Sequence, residues 1–194
     1  MLKATFIMMV FLLLTACASF DVREDNVSVA EDASEVKRIA ILRFDFDRPE
    51  KGRIERGKIE RPANAGEIVA DIFAGHLLGT GLYQIVGKER IEALLQKNNL
   101  SQPDLLAVSD WQRIQDVLGV DAIVIGVVSE YGDWRSRLNW GGVAIFTARL
   151  VDIPSGSLIW SISANRNLAM TNAAAATHAG AGLVVQELLA KTRR

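Results

Sequence analysis

The sequence predicts an α+β domain in which helices pack against a mixed, mainly antiparallel β-sheet. Three observations indicate this class. Apolar segments typical of strands alternate along the chain with segments of helical periodicity. Two alternating segments in the second half of the chain are joined by the turn residues 153–156, and the chain ends in an alanine-rich segment. The predicted order β, α, β, α, α, β, β, β, α favours a sheet covered by helices.

The first half of the domain is predicted to contain two strands and three helices. Residues 36–46 are rich in Ile, Leu and Phe and end in an acidic stretch, which indicates a strand. Between residues 66 and 78 apolar side chains recur every four residues, as on one face of a helix, and Gly79 and Gly81 end it. Residues 82–86 form a short predicted strand. The next two helices are defined by apolar residues, namely Ile91, Leu94 and Leu95 in one and Trp111, Ile114 and Leu118 in the other.

The second half is predicted to contain three strands and the last helix. Residues 121–131 are almost continuously apolar and β-branched, as in a strand covered on both faces. Residues 143–152 alternate between apolar and polar side chains, and residues 157–165 return as the second arm of a β-hairpin. Residues 132–142 are predicted to connect two strands. The alanine-rich residues 171–194 form a predicted helix with basic residues near its end, which suits the helix dipole.

The beginning of the chain, residues 1–16, is predicted to be a lipoprotein signal peptide. Its positive start is followed by an uncharged apolar run that is short for a transmembrane helix, which needs about 20 residues. Leu14-Thr15-Ala16-Cys17 resembles the lipobox of bacterial lipoprotein precursors, and this implies cleavage before Cys17, a diacylglycerol on its sulfur and an acyl chain on the new N-terminus. Two or more chains anchor a protein stably. A free thiol or an intermolecular disulfide at Cys17 is the alternative.

The residues after the lipobox bear on location and domain boundaries. Sorting in enteric bacteria retains lipoproteins with Asp after the cysteine at the inner membrane, so Ala18 predicts the periplasmic face of the outer membrane. The acidic residues 17–35 are predicted to be a flexible lipidated tether, which leaves residues 36–194 as one periplasmic domain.

Charge and cysteine content limit the function classes. A formal net charge of -1 gives no electrostatic footprint for nucleic acid. With its one cysteine predicted to be acylated, the folded domain has no disulfide, so hydrophobic burial must hold it together. We expect no cofactor other than the covalent lipid on Cys17.

Four segments of the chain form a recognisable pattern, namely RIAILRFDF, GTGLYQIVGKERIEALLQKNNL, IQDVLGVDAIVIGVVSEY and ARLVDIPSGSLIWS. Together they resemble the CsgG-like family of bacterial outer-membrane lipoproteins, and the match covers most of residues 36–165. The resemblance implies an anticodon-binding-domain-like fold, as in CsgG periplasmic domains. It also implies one of the family's roles, which include the curli secretion channel and the LpoB-type activators of a peptidoglycan synthase.

The channel members of that family contribute transmembrane hairpins, and this chain shows no such hairpin. A membrane-crossing hairpin needs about 20 residues plus a turn, with one face apolar. Residues 132–142 are too few and carry three charges. We therefore predict a non-enzymatic, lipid-anchored envelope protein that acts by protein–protein interaction, with self-association left open. The alternative is an oligomeric subunit of a CsgG-like outer-membrane secretion or export complex.

The candidate interaction surface consists of Trp134, Arg135, Arg137 and Trp140, since exposed Trp and Arg are enriched in binding hot spots. The alternative is that both indoles fold back on the sheet.

No catalytic residue and no metal site are predicted. His76 and His178 lack further ligands in the sequence, and the one cysteine is assigned to the lipid. A basic arm, residues 48–62, carries six Lys or Arg against three Glu, which suits either anionic lipid or glycan, or a solvated loop.

Overall fold

A single mixed β-sheet with helices on both faces organises the chain. The computed structural model describes residues 25–30, 36–46, 58–107 and 111–193. The main path of the sheet runs β1-β8-β7-β6-β2-β5, and β3 and β4 also pair with β6. The strands are β1 (Asn26–Val29), β2 (Arg38–Ile41), β3 (Asp45–Phe46), β4 (Lys58–Glu60), β5 (Gln84–Val86), β6 (Ala122–Arg135), β7 (Trp140–Asp152) and β8 (Leu158–Ala169). The helices are α1 (Ala65–Leu78), α2 (Lys88–Lys97), α3 (Gln102–Ala107), α4 (Trp111–Leu118) and α5 (Ala173–Thr192).

The strand directions correct the prediction of a mainly antiparallel sheet. β6 is antiparallel to β7 and β4 but parallel to β2 and β3, and β2 is also parallel to β5. The sheet is therefore mixed. The reason is that α1–α4 lie between β2 and β6 in the chain, and a long helical crossover brings the second strand back in the same direction as the first. The predicted α+β class and the hairpin of β7 and β8 are confirmed.

The folded part of the chain begins earlier than predicted. Residues 26–29 fall inside the segment 17–35 assigned to the flexible tether, yet they form β1 and pair antiparallel with β8. Val27 is buried and Val29 partly buried, so this short strand covers the open edge of β8 with apolar side chains. The predicted signal peptide 1–16 and Cys17 lie outside the described residues.

Two cores lie on opposite faces of the sheet. On one face α1 and α5 enclose an aromatic cluster of Phe44, Phe73, Phe146 and Trp160, with ring centroids 6.0–6.4 Å apart. On the other face the helices α2–α4 pack over β2 and the beginning of β6. The start of β6, residues 122–124, is thus buried on both sides as its apolar run predicts, whereas Val127 is 38% exposed, so the predicted double coverage does not extend along the strand. Among the described helices, none combines the length and apolar character that a bilayer crossing requires.

The predicted connection at residues 132–142 is mostly strand. β6 continues to Arg135 and β7 begins at Trp140, so only residues 136–139 form the turn. Two glycines in this segment allow close packing. A Cβ at Gly141 would lie 2.5 Å from Cζ2 of Trp134, and one at Gly142 would lie 2.0 Å from the carbonyl carbon of Asn172. The strand predicted over 36–46 is also divided, into β2 and β3.

Candidate interaction surface

The four predicted surface residues lie together at the β6–β7 turn. Arg135 pairs with Trp140 across the last register position of the hairpin. The turn is held by its own hydrogen bonds: the amide of Ser136 donates to the carbonyl of Asn139 at 2.7 Å, and the amide of Asn139 donates to Oγ of Ser136 at 3.1 Å. These hydrogen bonds define the backbone conformation of the turn from which its side chains project.

Trp134 is partly buried and packs on the sheet. Its Nε1 donates to Oδ1 of Asn167 at 2.9 Å, and its ring covers Gly141 on the neighbouring strand. For this indole the structure agrees with the alternative that the ring folds back on the sheet. Trp134 stabilises the end of the hairpin and is only partly exposed.

Three large apolar side chains are exposed at this end of the sheet. Leu138 is 100% exposed, Met170 75% and Trp140 50%. Met170 belongs to the same place because its amide donates to the carbonyl of Trp140 at 2.8 Å. Sequence reasoning missed Leu138 and Met170, because the sequence alone does not show whether an isolated apolar side chain in a polar segment is buried or exposed. We call Arg135, Arg137, Leu138, Trp140 and Met170 the tip surface.

The charge of the tip surface is positive. Neither Arg135 nor Arg137 forms an ion pair within the part of the chain that the structure describes. Two nearby carboxylates have other partners: Oδ1 of Asp133 accepts from the amide of Ala173 at 2.7 Å, and Oε1 of Glu130 accepts from Arg61 at 2.8 Å. The tip surface thus combines exposed apolar groups with two guanidinium groups available for an anionic partner.

The end of the basic arm lies next to the tip surface. β4 pairs antiparallel with the last residues of β6, and Lys58 lies opposite Arg135. Residues 48–57 of the arm are outside the described residues. The arm thus returns to the sheet beside the tip surface.

A groove of about 550 Å³ forms a second candidate surface, between α1 and α2 beside the edge strand β5. Much of its lining is apolar, and Leu78 at its margin is 61% exposed. Lys88 bridges the margin by contacting Glu67 and by placing its Nζ 3.6 Å from Oδ2 of Asp71. This pairing lowers the pKa of Glu67. The sequence did not indicate the groove, because the gap between α1 and α2 depends on how each helix packs against the sheet.

The two histidines meet between α1 and α5. Nε2 of His76 lies 3.2 Å from Nδ1 of His178, so one ring donates to the other. Burial, and then the nearby His178, lower the pKa of His76. In the described ranges no three His, Cys, Asp or Glu side chains are grouped to hold a metal ion. The hydrogen bond between the two rings therefore links α1 to α5.

Comparison with known proteins finds a matching family and solved structures of similar fold. The family model described as "Putative lipoprotein GNA1162-like" matches residues 64–192. Lipoprotein GNA1162 from Neisseria meningitidis is 21% identical with a TM-score of 0.58, covering 81% of this chain and 98% of that chain. The PelC dodecamer from Paraburkholderia phytofirmans is 15% identical with a TM-score of 0.56, covering 87% and 98%. No curated protein sequence matches.

A third solved structure, the LpoB C-terminal domain from Salmonella enterica, is 14% identical with a TM-score of 0.43, covering 70% of this chain and 86% of that chain. At the identities of the first two structures, the likeness concerns the fold alone. The resemblance to CsgG-like proteins stays a prediction.

Proposed function

The chain belongs to the GNA1162-like lipoprotein family, and on that premise we propose that it is a lipid-anchored envelope protein that works through protein–protein contacts and not through catalysis. The family match over residues 64–192 carries this proposal. The lipobox ending at Cys17 supports the anchor, and Ala18 supports the periplasmic face of the outer membrane as its location. The covalent lipid is the one non-protein group that the proposal requires.

The anchor is tested by mass spectrometry of the mature protein from membranes. We expect an N-terminal peptide that begins at Cys17 and carries acyl chains on the sulfur and on the amino group. The Cys17→Ser chain is the matched control and should remain uncut and unlipidated. An unacylated thiol in the wild-type protein would contradict the anchor.

The groove between α1 and α2 supports the contact function, since concave, largely apolar sites favour a buried apolar side chain of a partner. When this protein is used to capture its partner from solubilised membranes, the amount of partner bound should therefore depend on Leu78, which is exposed at the margin of the groove. We expect Leu78→Lys to lose the bound envelope protein. Leu158→Lys is the control, because Leu158 is 46% exposed but lies outside the groove. If both variants captured the same amount of the partner protein, the groove would be excluded as the binding site.

A subunit of a ring-forming export assembly is the second candidate function. The observation that favours it is the fold shared with a protein whose crystals contain a dodecamer. Mass photometry of the detergent-solubilised full chain separates the two candidates. A closed ring of defined stoichiometry favours the export subunit, and a monomer or dimer favours the accessory protein.

A further inference from the structure

We propose that the tip surface docks on an anionic phospholipid surface, so that the domain stands with its β6–β7 turn against the bilayer that holds its anchor. This inference rests on the proposed lipidation of Cys17. It gives the tip surface a membrane partner, whereas the groove between α1 and α2 remains available to a protein.

The direction of β1 supports this orientation. β1 is antiparallel to β8, with Asn26 opposite Ser163 and Val29 opposite Trp160. Asp25, which precedes β1, therefore lies toward the end of the sheet where β8 finishes and Ala169 pairs with Gly141. That end carries the tip surface. The first described residue of the domain thus lies toward the end of the sheet that carries the exposed apolar side chains.

The backbone at the start of β1 is fixed by a buried ion pair. Arg166 is 1% exposed, and its guanidinium binds the carboxylate of Asp25 with two hydrogen bonds, one of them 2.8 Å from Nη1 to Oδ1. Because Asp25 immediately precedes β1, the pair holds the point at which the tether joins the domain.

The length of the tether permits the contact. Nine residue steps separate Cys17 from Asn26, and they reach at most about 32 Å when fully extended. Along β8, the distance from Ser163 to Ala169 is about 20 Å for strand geometry. A lipidated Cys17 in the bilayer therefore allows the tip surface to reach the headgroups.

The chemistry of the tip surface suits the headgroup layer of a membrane. Trp is enriched at membrane interfaces, and basic residues near the surface are attracted to anionic lipids. Leu138 projects from a turn with its side chain fully exposed, which suits insertion between acyl chains. Arg137 immediately precedes it, and Arg135 ends β6 at the same turn.

The test is fluorescence quenching of tryptophan by brominated phospholipids, with the full lipidated chain reconstituted in vesicles of phosphatidylethanolamine and phosphatidylglycerol. We expect strong quenching in the wild-type protein and a large decrease in Trp140→Phe, with the remaining quenching coming from the partly buried Trp134. Trp111→Phe is the matched control, since Trp111 is a half-buried indole that packs against Gly156 at the other end of the hairpin. Its removal should leave the quenching unchanged.

The charge requirement is tested in the same assay. Replacing phosphatidylglycerol by phosphatidylcholine should reduce the quenching of Trp140, and Arg135→Gln/Arg137→Gln should remove the difference between the two lipid mixtures. Equal quenching of the wild-type protein in both mixtures would overturn the role of anionic lipid.

Flotation of the vesicles and mass spectrometry of the same preparation separate the two proposals. A lipidated chain that floats but shows no quenching of Trp140 overturns the docking and leaves the anchor intact. A chain that is unlipidated and does not float overturns both. If Trp140→Phe instead changes the oligomer mass in detergent, the tip surface is a protein interface and the docking is wrong.

Discussion

At the scale of single residues, the most consequential side chain in the core is charged. Arg166 is a residue of β8 whose side chain packs against α5, where Gly180 leaves room for it: a Cβ at Gly180 would lie 3.2 Å from Cγ of the arginine. A buried charge is costly unless it is paired. The guanidinium finds its partner in Asp25, more than a hundred residues earlier in the chain. One ion pair therefore ties the beginning of the domain to its last strand.

Removing Arg166 should destabilise the protein strongly. Arg166→Ala leaves the Asp25 carboxylate buried without this partner, and we expect a loss of about 3–5 kcal/mol in the free energy of unfolding. Urea denaturation measures it. Arg149→Ala is the control, because Arg149 is exposed on the adjacent strand and its loss should change the free energy by less than about 0.5 kcal/mol. Similar midpoints for the two variants would contradict the buried pair.

The histidine pair should make stability depend on pH. Folding lowers the pKa of His76 below its ordinary 6.5, so the unfolded chain binds more protons as the pH falls through that value. The contribution is fully present above pH 6.5 and is lost as the pH falls toward the lowered pKa of the folded state. We therefore expect the melting temperature to drop between pH 8 and pH 5.5.

Two variants isolate this effect from the titration of carboxylates. His76→Gln should flatten the dependence of the melting temperature on pH between 8 and 5.5. His178→Gln should flatten it less, because burial is the larger cause of the lowered pKa and the charge of His178 the smaller. Identical slopes in the wild-type protein and both variants would show that the pair does not contribute.

At the scale of elements, small residues determine how closely helices approach the sheet. Gly142 on β7 lies directly beneath the start of α5, and Gly66 on α1 lies against the carbonyl of Phe44. A glycine in a strand often marks such a close approach of another backbone. The packing of α1 and α5 on the sheet therefore depends on the absence of a side chain at these positions.

Substitution of two glycines by alanine should have opposite effects. Gly142→Ala places a Cβ 2.0 Å from backbone atoms that cannot rotate away, so we expect destabilisation of about 3 kcal/mol or more. Gly75→Ala in α1 meets no atom within 4 Å and should stabilise the protein by about 0.5–1 kcal/mol through helix propensity. Thermal unfolding of both variants provides the measurement. Stabilisation by both would show that α5 does not approach β7 so closely.

At the scale of the whole molecule, the periodicity of apolar residues predicted the helices and strands that have a large apolar face. The helix over residues 66–78 and the hairpin of β7 and β8 were recognisable because their patterns continue for many residues. β1 was not, since its two valines stand among acidic residues that are typical of a tether. The sequence placed Trp134 and Trp140 in one segment. It did not distinguish the ring that covers Gly141 from the ring that is exposed, because neighbours across the sheet decide that difference.

The boundary of the folded unit can be tested by truncation. A chain that begins at residue 36 lacks β1 and Asp25, so Arg166 is left buried without its carboxylate and the edge of β8 is uncovered. A chain that begins at residue 18 keeps both. We expect the shorter chain to lose at least about 3 kcal/mol in the free energy of unfolding relative to the longer one, and its open edge to favour aggregation. Urea denaturation and size-exclusion chromatography compare the two, and equal midpoints would place β1 outside the folded unit.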